Sequence, residues 1–193
     1  MTKEALYLAS SSPRRQSLLT LLDHPFEVLP VAVDERPLPG EAPLALVERL
    51  ARLKAEAGAA VAPEPRPVLG SDTLGELDGV LLVKPEDQAD FTRMMKSMSG
   101  RSHLIHTAIA FSDGKRTLSQ VVTSTVTFRE LSDSEIATYW HSGEPADKAG
   151  GYGIQGRGGR FVSHLAGSYF AVVGLPLMET ERLLQAFLGK ENP

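Results

Sequence analysis

Ser10-Ser11-Ser12-Pro13-Arg14-Arg15 combines hydroxyls, a helix-starting proline and two adjacent guanidinium groups. The first N–H groups of a helix have no intrahelical partner, and with the helix dipole they form a ready site for an anion. Arg14 and Arg15 fall in the first turn, where a cation opposes the dipole at about 0.3–1 kcal/mol each. Two in a row imply that something negative completes the site. Asp72 follows Val68-Leu69-Gly70, which reads as the carboxyl end of a buried strand, and in open α/β sheets that end faces the ligand crevice. A carboxylate there can hold a divalent cation or take a proton from water. Asp34 and Glu35 form a second acidic pair. Hard oxygen donors without His or Cys partners suit Mg²⁺ or Mn²⁺ better than zinc. Lys54 lies on a mostly apolar helix face, so its ammonium must find a partner or reach water. Lys84-Pro85 follows a hairpin strand, a place from which a lysine can be aimed at a ligand. Taken singly, each of these charges is more often a solvated surface group. Their combination with the arginine turn points to a polyphosphate and its counter-ion.

The elements that must position these residues read as follows. Residues 6–9 form a short buried strand. Ser12 caps a helix that has Pro13 at its first position and runs to about residue 22. Residues 26–33 form a second strand, and residues 43–61 a long amphipathic helix with Leu44, Val47, Leu50, Ala51 and Lys54 near one face. A strand over residues 67–70 leads to a hairpin with Asp78-Gly79 at its turn, then a helix over residues 85–98. Residues 103–111 and 117–128 are two longer strands. Ser132 opens a helix with Glu135 completing a capping box. A glycine-dense segment precedes strand-like stretches at residues 160–165 and 169–174, and a last helix spans residues 177–188. Helices mixed with hairpins predict an α/β fold with a mixed central sheet and flanking helices, two lobes around a cleft. The 193 residues fit one domain.

Hydrophobic residues make up 42% and charged residues 23% of the chain, the balance of a soluble globular protein. With no cysteine, a disulfide framework, a zinc–thiolate site and a cysteine nucleophile are excluded, and a reducing, cytoplasmic setting is expected. No exported leader is expected at the start, and no stretch approaches the ~20 apolar residues of a membrane helix. A net charge of −4 argues against nonspecific nucleic-acid binding. The stretch 62–67 and the tail after Leu188 read as the most disorder-prone. Gly151-Tyr152-Gly153-Ile154-Gln155-Gly156 matches G-x-G-x-x-G but neither follows a strand nor opens a helix, so it is not a dinucleotide site. His103 and His106, three apart on a strand, face opposite sides and read as packing or surface residues.

In this order, Leu8 to Arg15, Asp34-Glu35, Leu69 to Thr73, Lys84-Pro85, Ser99-Gly100 with His103, and Val126 to Arg129 carry a resemblance. So do Gly143-Glu144-Pro145 with Asp147 to Gly150, Tyr152 to Gly156, and Gly167-Ser168-Tyr169 with Val173 to Leu177. Over nearly its whole length the chain resembles the Maf family of nucleotide pyrophosphatases. The resemblance implies a fold shared with inosine triphosphate pyrophosphatases, a homodimer, a divalent cation, and cleavage of a nucleoside triphosphate to monophosphate and diphosphate. It implies functional roles for Ser10, Arg14, Arg15, Glu35, Lys54, Asp72, Lys84 and Gln155, with Asp72 as proton acceptor; Glu35 and Asp72 are the carboxylates expected to hold the cation. Gly75-Glu76, Val83 and Gly151 depart from the usual residues without removing a chemical group.

The resemblance also marks Arg14, Thr73 and Gln155 as specificity positions. A related branch that prefers 7-methyl-GTP has an aromatic, a Gln and a Glu in those roles. A Glu carboxylate only accepts hydrogen bonds, whereas a Gln amide donates and accepts, matching the imide edge of thymine and uracil. Hydrolysis of dTTP and UTP, with modified pyrimidine triphosphates as further substrates, is therefore expected. The alternative is a nucleotide-binding regulator of cell division or septum formation with little catalysis.

Overall fold

A computed structural model describes residues 4–189. The first three residues, and the part of the disorder-prone tail beyond Gly189, lie outside the described residues. The strands are β1 (Leu6–Leu8), β2 (Phe26–Val28), β3 (Val68–Leu77), β4 (Val80–Leu82), β5 (Ser102–Ser112), β6 (Thr117–Phe128) and β7 (Val162–Ala166). The helices are α1 (Pro13–Thr20), α2 (Pro43–Val61), α3 (Gln88–Met98), α4 (Asp133–Trp140), α5 (Tyr169–Val173) and α6 (Leu177–Phe187), with three short 3₁₀ turns between α4 and β7. The sheet order is β2-β1-β3-β5-β6-β7, with β4 paired to β3. Parallel pairs (β1 with β2 and with β3) stand beside antiparallel ones (β3 with β4, β6 with β7), so the sheet is mixed as expected.

The chain divides into two compact units. One comprises the residues up to Thr73, Thr107–Val122 and the chain from Gly174 on; the other comprises Leu74–His106 and Thr123–Val173. Among the described residues no helix is long and apolar enough to cross a membrane.

In the first unit α2 begins at Pro43, whose fixed φ suits the first helical position. It buries Leu46, Val47, Leu50, Ala51, Ala55 and Gly58, a stripe at helical spacing. Leu44, expected on this face, is exposed. The stripe lies against β3 so closely that a Cβ on Gly70 would sit 2.5 Å from the Ala55 nitrogen and closer still to the Ala51 carbonyl oxygen. Backbone cannot yield as a side-chain tip can. Gly70→Ala is therefore expected to destabilise the protein by about 1–3 kcal/mol or more, as overpacking does. A fall in the urea midpoint checks it, and an unchanged midpoint would contradict the close approach.

In the second unit Phe91, Met94, Met95 and Met98 bring α3 onto a core that includes Ile105, Val126, Phe128, Tyr139, Tyr152 and Phe161. The Asp78-Gly79 turn forms as read, both residues taking positive φ. Ser132 and Glu135 make the reciprocal capping box at α4.

Three expectations are corrected. The second strand stops at Val28 rather than residue 33, because its partner β1 is itself three residues long and Leu8 meets Val28. The helix expected over residues 85–98 starts at Gln88, with Asp87 as its cap accepting from the Asp90 N–H. Residues 169–173 are helical, not strand-like: Ser168 accepts from the Ala171 N–H through its hydroxyl and from the Val172 N–H through its carbonyl.

His103 is buried in the second core, its Nε2 2.6 Å from the Tyr152 hydroxyl and its Nδ1 without a hydrogen-bond partner. Burial pushes its pKa down from the ordinary 6.5 to about 4. Between those values the unfolded chain binds a proton that the folded chain refuses. Stability is thus present above pH 6.5 and is lost as pH falls toward 4, by about 3 kcal/mol in all. Urea titrations at pH 7 and pH 4.5 are expected to show this loss in the wild type and a smaller one in His103→Leu. Equal losses would remove His103 as the cause.

Candidate active site

β1 ends at Leu8, and the chain turns through Ser10 into α1. Ser10 is buried and its hydroxyl accepts from the Ser12 N–H at 3.2 Å, while Ser12 caps the helix by accepting from the Arg15 N–H. Arg14 is exposed on this turn. Arg15 turns back onto the sheet. Its Nε donates to the Gly174 carbonyl at 3.0 Å and its Nη2 to the Thr73 hydroxyl at 3.2 Å. The Thr73 hydroxyl meets that of buried Thr107 at 2.9 Å, and the Ser71 hydroxyl donates to the same Gly174 carbonyl. The guanidinium plane is thus fixed from two directions before any ligand arrives. Burial lowers the Arg15 pKa and neighbouring Arg14 adds to this, while the charges of Asp72 and Glu35 oppose it. An arginine remains cationic throughout.

Beside it, Lys54 carries its ammonium out of the apolar stripe of α2 to two carboxylates. Nζ lies 2.7 Å from Asp72 Oδ1 and 2.8 Å from Glu35 Oε1. The partner demanded by a lysine on an apolar face is therefore Asp72 together with Glu35. Lys54 and Asp72 are largely buried, their side chains 12% and 14% exposed, and Glu35 is exposed. Screening by water is correspondingly weak for the first pair. Asp34, the other member of that acidic pair, is held by Arg36 through bonds of 2.6–3.1 Å.

Asp72 is not at the end of a strand. β3 continues to Leu77 because Gly75, Glu76 and Leu77 pair with β4. What ends before Asp72 is the pairing with β1, whose last partner is Leu69. Asp72 therefore stands beyond the carboxyl end of a parallel strand while remaining inside its own, a more rigid mounting than a loop.

Two carboxylate oxygens that meet one positive centre make a set a hard divalent cation could use. Among the described residues no group of three or more His, Cys, Asp and Glu side chains could hold a metal. The set fits a Mg²⁺-type ion, which typically takes one or two protein carboxylates and completes its shell with phosphate oxygens and water.

The structure thus brings Arg15, Thr73, Lys54, Asp72 and Glu35 together in the first unit. Lys84 and Gln155 belong to the second, both exposed, Gln155 within a glycine-rich turn. Sequence reasoning missed Ser71, Thr107 and the Gly174 carbonyl, which position Arg15 from residues far along the chain. It also missed that buried His106 is bonded on both ring nitrogens, to Glu76 at 2.9 Å and Thr123 at 2.8 Å. Here Glu76, one of the departures from the family pattern, has its partner.

Residues 5–187 match the Maf-like protein family. The chain belongs to the Maf family. Within it, the chain is 60% identical over 184 residues to the dTTP/UTP pyrophosphatase of Pseudoalteromonas translucida (strain TAC 125), covering 95% of this chain and 97% of that one. It is 54% identical over 188 residues to the dTTP/UTP pyrophosphatase of Yersinia pestis bv. Antiqua (strain Antiqua), covering 97% and 95%. The Maf fold seen here is similar to that of the Staphylococcus aureus Ham1 protein, with a TM-score of 0.55 over 98% of this chain and 100% of that one. At 15% identity this likeness concerns the fold alone.

Proposed function

We propose that this protein is a nucleotide diphosphatase that hydrolyses dTTP and UTP to the monophosphate and diphosphate. The observation that carries the reading is the Lys54 ammonium held between Asp72 and Glu35, next to a guanidinium already fixed on Thr73 and Gly174. Phosphoryl transfer asks for positioning and charge stabilisation more than covalent chemistry from the protein. The support from relatives is the shared name of proteins 54–60% identical over nearly the full chain.

In this reading Ser10, Arg14 and Arg15 take the phosphate oxygens at the start of α1, with Lys54 and Lys84 supplying further positive charge. Asp72 orients the attacking water and accepts its proton. Glu35 and Asp72 would hold a Mg²⁺ or Mn²⁺ ion, which when bound neutralises charge on the phosphate oxygens. Thr73 keeps Arg15 in place, and Gln155 reads the base through an amide that donates and accepts. The whole chain acts as one Maf-like domain, in a homodimer, in the cytoplasm, with neither nucleic acid nor membrane as a partner.

The test is diphosphate release from dTTP, UTP, CTP and 7-methyl-GTP with Mg²⁺, Mn²⁺ or chelator. The expected result is fastest turnover of dTTP and UTP, weaker turnover of CTP, whose amino group replaces a carbonyl, and none with chelator. Comparable turnover of 7-methyl-GTP would defeat the assignment of Gln155. No diphosphate from any triphosphate with metal present would favour a protein that only binds nucleotides.

A further inference from the structure

Gln155 has to face a base with its amide in one orientation, yet it sits exposed in a turn flanked by Gly153, Gly156, Gly158 and Gly159. Glycine backbone is the most costly kind to hold in one conformation. Something outside the turn must therefore fix it, and in the second unit the Glu144 carboxylate and the Tyr139 hydroxyl both reach its backbone.

Glu144, at the head of the 3₁₀ turn Glu144–Asp147, points its carboxylate under this segment. Oε1 accepts from the Tyr139 hydroxyl at 2.7 Å and from the Gly158 N–H at 3.1 Å, and Oε2 accepts from the Arg157 N–H at 2.9 Å. The Tyr139 oxygen in turn accepts from the Gly153 N–H at 3.2 Å. The carboxylate is thus tied to the backbone on both sides of Gln155: directly after it, and through Tyr139 before it. The Gly156 N–H closes the loop on the Gly153 carbonyl at 3.1 Å. The fit is tight, since a Cβ on Gly156 would lie 2.5 Å from Glu144 Oε1 and 2.6 Å from its Cδ.

We infer that Glu144 is a positioning residue for base selection, its carboxylate clamping the turn that presents Gln155. The inference rests on the proposed reading of Gln155. Only an acceptor-only group with two oxygens suits the site, because three donors converge on it. Burial acts to raise the Glu144 pKa, but the Tyr139 hydroxyl, the Arg157 and Gly158 N–H groups and the Lys148 charge outweigh it and hold the carboxyl below its usual range. A glutamine in its place would turn an N–H₂ toward at least one backbone N–H and open the clamp.

The experiment compares kcat and KM for UTP and CTP in wild type, Glu144→Gln, Tyr139→Phe and Gln155→Ala. Tyr139→Phe removes the hydroxyl that joins Glu144 to Gly153, leaves Glu144 on the Arg157 and Gly158 N–H groups, and covers the case in which Glu144→Gln fails to fold. In each variant the UTP-over-CTP ratio of kcat/KM is expected to fall, by about tenfold in Glu144→Gln. In Glu144→Gln and Tyr139→Phe, KM for UTP should rise, while kcat and inhibition by inorganic diphosphate change by less than about threefold. A collapsed ratio in Gln155→Ala beside wild-type ratios in the folded clamp variants overturns the clamp alone. Equal loss of UTP and CTP turnover in those variants also overturns it, as a merely structural role would. A wild-type ratio in Gln155→Ala sinks the reading of Gln155 and the clamp's part in selection together.

Discussion

Asp72→Asn is expected to lower kcat on dTTP by about 10²–10⁴-fold, the usual loss when a general base is removed. Asparagine has the shape of aspartate, and its carbonyl oxygen can still accept from Lys54, 2.7 Å away in the wild type. Lys54 also keeps Glu35 at 2.8 Å. The fold and the ground-state cradle for phosphate should therefore survive, and KM should change far less than kcat. What the amide cannot do is take a proton from water, nor does it carry the negative charge that helps attract a cation. Steady-state kinetics with a thermal melt of the same preparation checks this. Turnover near the wild-type rate by a folded Asp72→Asn protein would remove Asp72 from the mechanism.

Arg15→Lys is expected to lower kcat/KM by about 10²–10³-fold, the loss typical of removing one fixed donor from developing charge. The substitution keeps the charge and discards the geometry. Arg15 spends Nε on the Gly174 carbonyl and Nη2 on the Thr73 hydroxyl, which leaves the rest of the fork aimed by the protein and not by the ligand. A lysine offers one flexible ammonium that cannot occupy both anchors and still face a phosphate. Activity within threefold of wild type would mean that the anchored plane contributes nothing beyond its charge.

Much of the frame was legible because local signals agreed with one another. Pro43 and the apolar spacing after it set both ends of α2, and Ser132 with Glu135 marked the start of α4. The need of Lys54 for a partner could be read from its place on an apolar face, and the partners are two of the acids singled out from sequence.

What could not be read depends on contacts across the chain. Asp72 looked terminal because Gly70, Ser71, Thr73 and Gly75 interrupt the apolar pattern, yet pairing with β4 carries the strand on. The aromatic and β-branched stretch from Tyr169 to Val173 reads as a strand until Ser168 supplies a helical start. The Gly174 carbonyl that anchors Arg15 lies 159 residues away from it, and no local spacing announces a backbone acceptor. The same holds for Glu76, a departure from the usual residues whose partner, His106, lies 30 residues on.

The most direct measurement is the product stoichiometry when purified protein consumes dTTP in the presence of Mg²⁺. The account predicts dTMP and inorganic diphosphate in equal amounts, with no dTDP at any time point. Accumulation of dTDP and orthophosphate, or no consumption of dTTP at all, would contradict it.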